Sequence, residues 1–245
     1  MMVLTIAWRE LRNLFLSPLA WVLLGITQVL QAWLFLGAVQ SFLLHPGGVE
    51  GVTDRVGASL YSFATIVMLL VVPLLSMRLV SEERRSGSLA LLFSAPVRMS
   101  EVVLGKFLGL MGFLTVMAGI LTLMPLSLAV GTHLDYLKLA GCVLGLLLVW
   151  GSFAATGLYM STLTRQPVVA AISSFGLLLF LWIIEDLGQN GASYSALLHY
   201  LSLGGHYSAF LRGVFDSADV IFYLLFMGTF LVLSVRRLDS ARLRS

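Results

Sequence analysis

A single cluster of charged residues interrupts a chain that is otherwise almost wholly apolar. The cluster runs from position 78 to 106 and carries acids and bases side by side, with Glu82 and Glu83 followed directly by Arg84 and Arg85. Such neighbours form ion pairs with a protein surface and resemble neither a nucleophile with its base nor a metal-ligand set. The chemistry expected here is therefore the docking of another protein.

Patterns typical of catalysis are missing from the rest of the sequence. The four histidines form no H-E-x-x-H pair, and Cys142 is the only cysteine, so no disulfide forms within the chain. Ser152, Thr156 and Ser161 fall in one apolar segment without a buried histidine or acid, which argues against an intramembrane protease or transferase. The phosphate-binding motif G-x-x-x-x-G-K-[ST] is also absent.

The composition is that of an integral membrane protein. The chain has 245 residues, of which 59% are hydrophobic and 11% charged, and its mean hydropathy is +0.97. Soluble domains carry about 25% charged residues. The net charge of +3 is small, and the basic residues stand at segment ends and not along one groove, so no nucleic acid is expected as a partner.

Six apolar segments are long enough to cross a bilayer as helices, which takes about 20 residues each. Helices are required because isolated spans must satisfy their backbone hydrogen bonds internally. We therefore predict an all-α polytopic membrane protein that forms a single transmembrane domain over residues 1–245. The predicted spans are 19–43, 59–80, 103–130, 137–162, 167–185 and 217–235.

The distribution of Lys and Arg predicts the orientation. With both termini cytosolic, twelve basic residues lie on the inner side and three on the outer side. The charged segment between spans two and three, which we call the elbow (residues 79–98), then lies in the cytosol. Residues 1–18 are predicted to form an amphipathic helix on the inner membrane surface, closed by Pro18. Its apolar face carries Leu4, Trp8, Leu11 and Phe15.

The elbow is predicted to contain two short helices. Ser81 can cap the first, whose opening turn carries Glu82 and Glu83, and Gly87 ends it. Ser88 can cap the second helix, and Pro96 stops it. The second helix presents the apolar side chains Leu89, Leu92 and Phe93. An exposed apolar helix of this kind needs a receiving groove on a partner.

The connection between spans five and six, residues 186–216, is too apolar for a solvated loop. We predict two short helices that dip back into the outer leaflet, separated by Gly204–Gly205. His206 is placed to orient them by a hydrogen bond. Asp216 and Asp219 precede the last span and suit the dipole at its N-terminus.

Lys106 lies just inside span three. It can snorkel to the inner headgroups. Gly105 and Gly109, like Gly141 and Gly145, have the spacing that allows close contact between helices.

Two groups of residues resemble a known family. The first is ERRSGSL at 83–89, LL at 91–92, APV at 95–97 and GK at 105–106; the second is LS at 201–202, HY at 206–207, Phe210, RG at 212–213, Asp216, DV at 219–220 and FY at 222–223. Their order resembles type 2 ABC transporter permeases, and among them the gliding-motility and nitrous-oxide-reductase-maturation branch. Ser88 stands where that branch often has Thr, and Ala90 stands where it often has an acid.

The resemblance implies a non-enzymatic exporter subunit of the bacterial inner membrane. Two copies of the permease, as a homodimer, would pair with two separate ATPase subunits that bind ATP and Mg²⁺, while this chain binds neither. A periplasmic or membrane accessory protein is also compatible with the resemblance. The implied ATPase-coupling residues are Glu82, Glu83, Arg84, Arg85, Gly87, Ser88, Leu89, Leu92, Phe93 and Pro96. The implied outer gate comprises His206, Tyr207, Phe210, Gly213 and Asp216.

The alternative is a secondary transporter or a membrane scaffold that acts without an ATPase. Secondary transporters often show repeated halves with broken helices at the midplane. The sequence has no convincing repeat and almost no charge within its spans.

Overall fold

The structure is a computed structural model, and it describes residues 2–44, 53–87, 97–130, 134–188 and 201–243. Within these ranges every regular element is helical. The longer helices are α1 Met2–Leu16, α2 Pro18–Leu44, α3 Ala58–Ser76, α4 Arg78–Ser86, α5 Met99–Ser127, α6 Tyr136–Leu163, α7 Pro167–Gly188, α8 Leu203–Leu211 and α9 Ser217–Arg242. A π-helical turn at Thr53–Gly57 and a 3₁₀ turn at Leu128–Val130 complete the described elements.

The predicted all-α membrane fold is confirmed. Six helical segments are long and apolar enough to span a membrane, namely α2, α3 continued by α4, α5, α6, α7 and α9. The second segment continues beyond the predicted end at residue 80 to Ser86, and α9 continues beyond residue 235 to Arg242. The chain is thus a multi-pass membrane protein.

Helix α6 is the centre of the bundle. Of the residues in its most apolar stretch, 67% are buried inside the chain, whereas the corresponding share for α2 is 11%. It packs against α3, α5, α7, α8 and α9. Trp150 and Phe153 are fully buried on it. Because α6 touches most other helices, its side chains can reach both ends of the bundle. Helix α4 lies at one end, which we call the elbow end, and α8 lies at the opposite end.

Glycines allow neighbouring helices to approach α6 closely. A Cβ added to Gly157 would lie 1.9 Å from Oγ of Ser76 on α3, and one added to Gly145 would lie 2.6 Å from Cβ of Phe210 on α8. Real Cβ atoms do not approach other atoms so closely. By contrast, Gly141 has no neighbouring atom within 4 Å of such a Cβ. Among the residues that the structure describes, therefore, only the second glycine of this pair is used in a helix contact.

The predicted N-terminal helix is present, but only half of its predicted apolar face packs against the rest of the chain. Leu4 and Trp8 are 71% and 69% exposed, whereas Leu11 and Phe15 pack against the core. The helix ends at Leu16, and Pro18 begins α2 instead of closing α1. Proline suits the first position of a helix because its missing N–H has no partner there in any case.

Candidate coupling site

Helix α4 continues the second span into the elbow after a break at Met77. It ends at Gly87, whose φ of 76° is left-handed, as predicted for a helix-ending glycine. The predicted cap by Ser81 is wrong. Ser81 lies inside the helix, which begins at Arg78, and its hydroxyl donates to the Met77 carbonyl. The helix starts earlier than predicted because α4 follows α3 with only one residue between them.

The break at Met77 is held by a hydroxyl from another helix. Oγ of Ser161, on α6, accepts hydrogen bonds from the backbone N–H groups of Val80 at 3.1 Å and Ser81 at 3.0 Å. The same hydroxyl donates to the carbonyl of Met77 at 2.9 Å. The first N–H groups of a helix lack partners within it, so Ser161 supplies the capping acceptor that the local sequence does not. The junction of α3 and α4 is thereby fastened to the centre of the bundle.

Lys106 connects three helices at the elbow end. Its Nζ donates to Oε1 of Glu83 on α4 at 2.7 Å and to Oε1 of Glu10 on α1 at 3.0 Å. The lysine is only 1% exposed, so its ammonium does not extend toward the headgroups and the snorkelling prediction is wrong. A buried ammonium requires such partners because its desolvation is costly. We call Glu10, Glu83 and Lys106 the buried triad.

The buried triad forms because α1 lies unusually close to α5. A Cβ added to Gly105 would stand 2.6 Å from Cγ2 of Ile6, and one added to Gly109 would stand 2.7 Å from Cβ of Glu10. This G-x-x-x-G pair therefore makes a contact inside the chain, where small residues let two helix backbones approach. The approach brings the carboxylate of Glu10 to the base of Lys106.

The charges around the buried triad balance. Arg9 contributes a second cation, with Nη2 at 3.4 Å from Oε1 of Glu10, and remains 57% exposed. Two bases, Arg9 and Lys106, thus face two acids, Glu10 and Glu83. Burial is tolerated when charges are paired in this way, whereas removal of one member leaves an uncompensated charge.

A cavity of about 740 Å³ lies beside the buried triad. It is enclosed by α1, the start of α2, the end of α3 and α4. Its charged lining consists of Arg9, Glu10, Arg78, Glu82, Glu83 and Lys106. Its apolar lining consists of Leu14, Leu19, Ala20, Leu74, Leu75 and Leu79. The cavity therefore has the mixed character of a site for an amphiphilic group.

The predicted coupling residues fall into three groups: those beside Lys106 or the cavity, those on the rest of α4 and at its end, and those outside the described residues. Glu83 enters the buried triad, and Glu82 lines the cavity. Arg84 is partly buried, whereas Arg85 and Gly87 are exposed. The remaining residues of the set lie outside the described residues: Ser88, Leu89, Leu92, Phe93 and Pro96.

At the opposite end, α8 is joined to α9 by a short hydrogen bond. Nδ1 of His206 lies 2.6 Å from Oδ1 of Asp219, and the imidazole ring stacks on Phe222 with ring centroids 4.0 Å apart. His206 thus orients α8, as predicted. The predicted break at Gly204–Gly205 is wrong, because Ser202 caps α8 by accepting from Gly205 N and both glycines lie in the first turn. The first of the two predicted short helices falls largely on residues 189–200, outside the described residues.

Other predicted gate residues hold α8 against the core. The hydroxyl of Tyr207 donates to the carbonyl of Tyr61 at 3.1 Å, and burial raises the pKa of Tyr207 above its ordinary value. Phe210 occupies the space left by the missing side chain of Gly145. Asp216 caps α9 by accepting from Ala218 N at 2.9 Å, as the dipole argument predicted. Gly213 has a φ of 77° and packs against the stem of Lys138.

The hydroxyls of α6 are engaged with the backbone. Ser152 donates to the Leu148 carbonyl at 3.0 Å, and Thr156 donates to the Ser152 carbonyl at 2.9 Å. In the part of the chain that the structure describes, no group of three His, Cys, Asp or Glu side chains is arranged to hold a metal ion. The geometry of these residues is therefore that of packing and positioning.

Two residues of this site were not predicted from the sequence. The sequence alone assigns no role to Glu10, although its position three residues after Ala7 places it on the face that α5 covers. The sequence presents Ser161 only as a candidate nucleophile. The signal for Glu10 was a lysine inside a span, which requires an acid somewhere in the chain. No local pattern identifies Ser161 as a cap for α4.

Comparison with known proteins is consistent with this architecture. The sequence matches the family described as ABC-2 family transporter protein over residues 4–236. The probable ABC transporter permease protein NosY of Pseudomonas aeruginosa is 32% identical over 145 residues, which cover 53% of this chain and 50% of that protein. The match thus spans about half the length of this relative. Because the family match extends over nearly the whole chain, the protein belongs to the ABC-2 family of transporters, as a membrane permease subunit.

Proposed function

We propose that this chain is driven by a separate ATPase subunit that docks on the elbow. The observation that supports the proposal is the anchoring of α4. Glu83 ties it to Lys106 on α5 and, through the same ammonium, to α1, while Ser161 ties its first turn to α6. A displacement of α4 would therefore be passed to helices throughout the bundle instead of being absorbed by a loose loop.

The division of labour follows from the sequence. The chain has no phosphate-binding loop, so ATP and Mg²⁺ would be bound by the partner. The excess of basic residues at the elbow end would place that end and both termini in the cytosol of a bacterium, with the chain in the inner membrane. Two copies of the chain and two ATPase subunits would form the working unit, which carries out export or mechanical work on a partner.

The outer gate is the second part of the proposal. Its residues would be His206, Tyr207, Phe210, Gly213 and Asp216. Its support is that α8 is held by a few specific contacts to α3, α6 and α9, among them the hydrogen bond of His206 with Asp219. When the helices move, these contacts can break together and be replaced by another set of contacts, as a gate requires.

Co-expression with an ABC ATPase tests the proposal. Leu89→Asp combined with Leu92→Asp places two charges on the predicted docking helix and is expected to abolish copurification of the ATPase. The matched control is Leu137→Asp, which changes a leucine that is 85% exposed at the opposite end of the bundle. Equal recovery of the ATPase with both variants would contradict docking on the elbow. Ion-coupled uptake by the chain alone, without ATP, would favour a secondary transporter instead.

A further inference from the structure

We propose that the cavity beside the buried triad binds one phospholipid that carries both a phosphate and a primary ammonium, as phosphatidylethanolamine does. The site lies between α1 and the α3–α4 junction, where the membrane-spanning part of the chain meets the elbow. The proposal concerns this chain alone and does not depend on the ATPase.

The size of the cavity suits a phospholipid headgroup and the upper part of its chains. Its volume of about 740 Å³ is in the range of small-molecule sites, which is about 300–1,000 Å³. Its lining extends along one side from Leu74 to Ser86. At a helical rise of about 1.5 Å per residue, that stretch is about 18 Å long.

The lining changes from apolar to charged along this length. Leu19 and Ala20 in the first turn of α2, with Leu74 and Leu75 in α3, form the apolar end, which belongs to membrane-spanning helices. The charged side chains of the lining lie on α1, α4 and α5, where Leu14 and Leu79 are its apolar members. A water-soluble ligand gains nothing from an apolar end at membrane depth, whereas a lipid places its acyl chains there and its headgroup against the charges.

The charged side chains that are not already paired within the chain determine which lipid headgroup the cavity can bind. Lys106, Glu10 and Arg9 are already engaged in ion pairs with residues of the chain. Arg78 and Glu82 also line the cavity, and in the described part of the chain neither makes an ion pair or a side-chain hydrogen bond. They stand four residues apart on α4, so their side chains lie on the same face.

Arg78 offers one cation and Glu82 offers one anion, and together they match a zwitterionic headgroup. The guanidinium of Arg78 can bind the phosphate in a bidentate manner, and the carboxylate of Glu82 can accept from the ammonium. Phosphatidylglycerol would leave Glu82 without a cation. Phosphatidylcholine would bring a quaternary ammonium that has no N–H to donate.

Native mass spectrometry of the full chain tests the proposal. The protein is reconstituted into vesicles of equimolar phosphatidylethanolamine, phosphatidylcholine and phosphatidylglycerol and is then released in mild detergent. One phosphatidylethanolamine per chain is expected to remain bound. Arg78→Gln should reduce this retention about tenfold or more, as for loss of a hydrogen bond to a charged group. Arg85→Gln, on the same helix but outside the cavity lining, should retain the lipid at the wild-type level.

The selectivity supplies a second, independent readout. Glu82→Gln removes the anion and should shift preference from phosphatidylethanolamine toward phosphatidylglycerol, whereas Asp239→Asn, at an exposed acid on α9, should not. Equal thermal transitions of these variants establish that the fold is retained. Equal lipid retention by Arg78→Gln and Arg85→Gln, or unchanged selectivity of Glu82→Gln, would overturn the proposal. Retention of none of the three lipids, with Arg78 shielded only when an ATPase is bound, would assign the cavity to a protein partner instead.

Discussion

Glu10 and Glu83 accept hydrogen bonds from the same ammonium, although they stand on different helices and far apart in the sequence. The Nζ of Lys106 lies 3.0 Å from the first and 2.7 Å from the second. Lys106, on α5, therefore links α1 to α4 through these two bonds. This link has direct consequences for stability.

The first prediction concerns the buried triad. Lys106→Leu leaves the buried carboxylate of Glu10 and the half-buried carboxylate of Glu83 without their shared cation, and it is expected to destabilise the chain by at most about 3–5 kcal/mol, the range for fully buried pairs. Thermal unfolding in detergent measures the loss. Adding Glu10→Gln and Glu83→Gln to Lys106→Leu removes the uncompensated charge, so the triple variant should be more stable than the single one. A triple variant less stable than Lys106→Leu would show that the uncompensated charges are not the cause of the lost stability.

The second prediction concerns the hydroxyl at the α3–α4 junction. Ser161→Ala removes the acceptor for two backbone N–H groups, those of Val80 and Ser81, and should cost about 1–3 kcal/mol. Hydrogen exchange at these two amides should accelerate. Ser152→Ala is the matched control, because Ser152 bonds only to a carbonyl of its own helix, and its effect should stay within about 0.5 kcal/mol. Unchanged exchange at both amides in Ser161→Ala would refute the capping role.

The third prediction concerns the contact of α6 with α3. Gly157→Ala would place its Cβ 1.9 Å from Oγ and 2.8 Å from Cβ of Ser76, so the two helices must separate, at a cost of about 1–3 kcal/mol. Ser76→Gly removes both opposing atoms and should restore much of the stability in the double variant. Gly141→Ala, on the same helix with open space around it, should be neutral. The close packing is disproved if both alanine variants unfold at the same temperature.

The fourth prediction concerns the hydrogen bond that joins α8 to α9. His206→Phe keeps a ring to stack on Phe222 but cannot donate to Asp219. A double-mutant cycle with Asp219→Asn should give a coupling energy of about 0.5–3 kcal/mol. The same cycle with Asp216→Asn should give a value near zero, because Asp216 caps α9 and does not bond to the histidine. Equal coupling in both cycles would argue against a specific pair.

The six spans could be predicted from the sequence because bilayer thickness imposes a length of apolar chain that is visible in composition alone. The same holds for Gly87, whose positive φ suits no other residue as well. Local signals were enough in both cases.

The environment of Lys106 could not be predicted in this way. A lysine near the end of an isolated span is expected to extend toward water, and its acid Glu10 lies 96 residues away. The pairing depends on how closely α1 approaches Gly105 and Gly109, which is a property of the packed bundle. The predicted cap by Ser81 fails for a related reason, because Ser161 on another helix supplies the acceptor that a local cap would have provided.

The contact between Gly157 and Ser76 also bears on how α4 could move. The close approach of α3 and α6 at this level leaves little room for sideways sliding, so a displacement of α4 would be a tilt about Ser76. The stretch from Ser76 to Gly87 would then be a lever arm of about 16 Å. A tilt of about 10° over that arm would carry its tip by about 3 Å, so a modest rotation would become a stroke large enough to repack neighbouring helices.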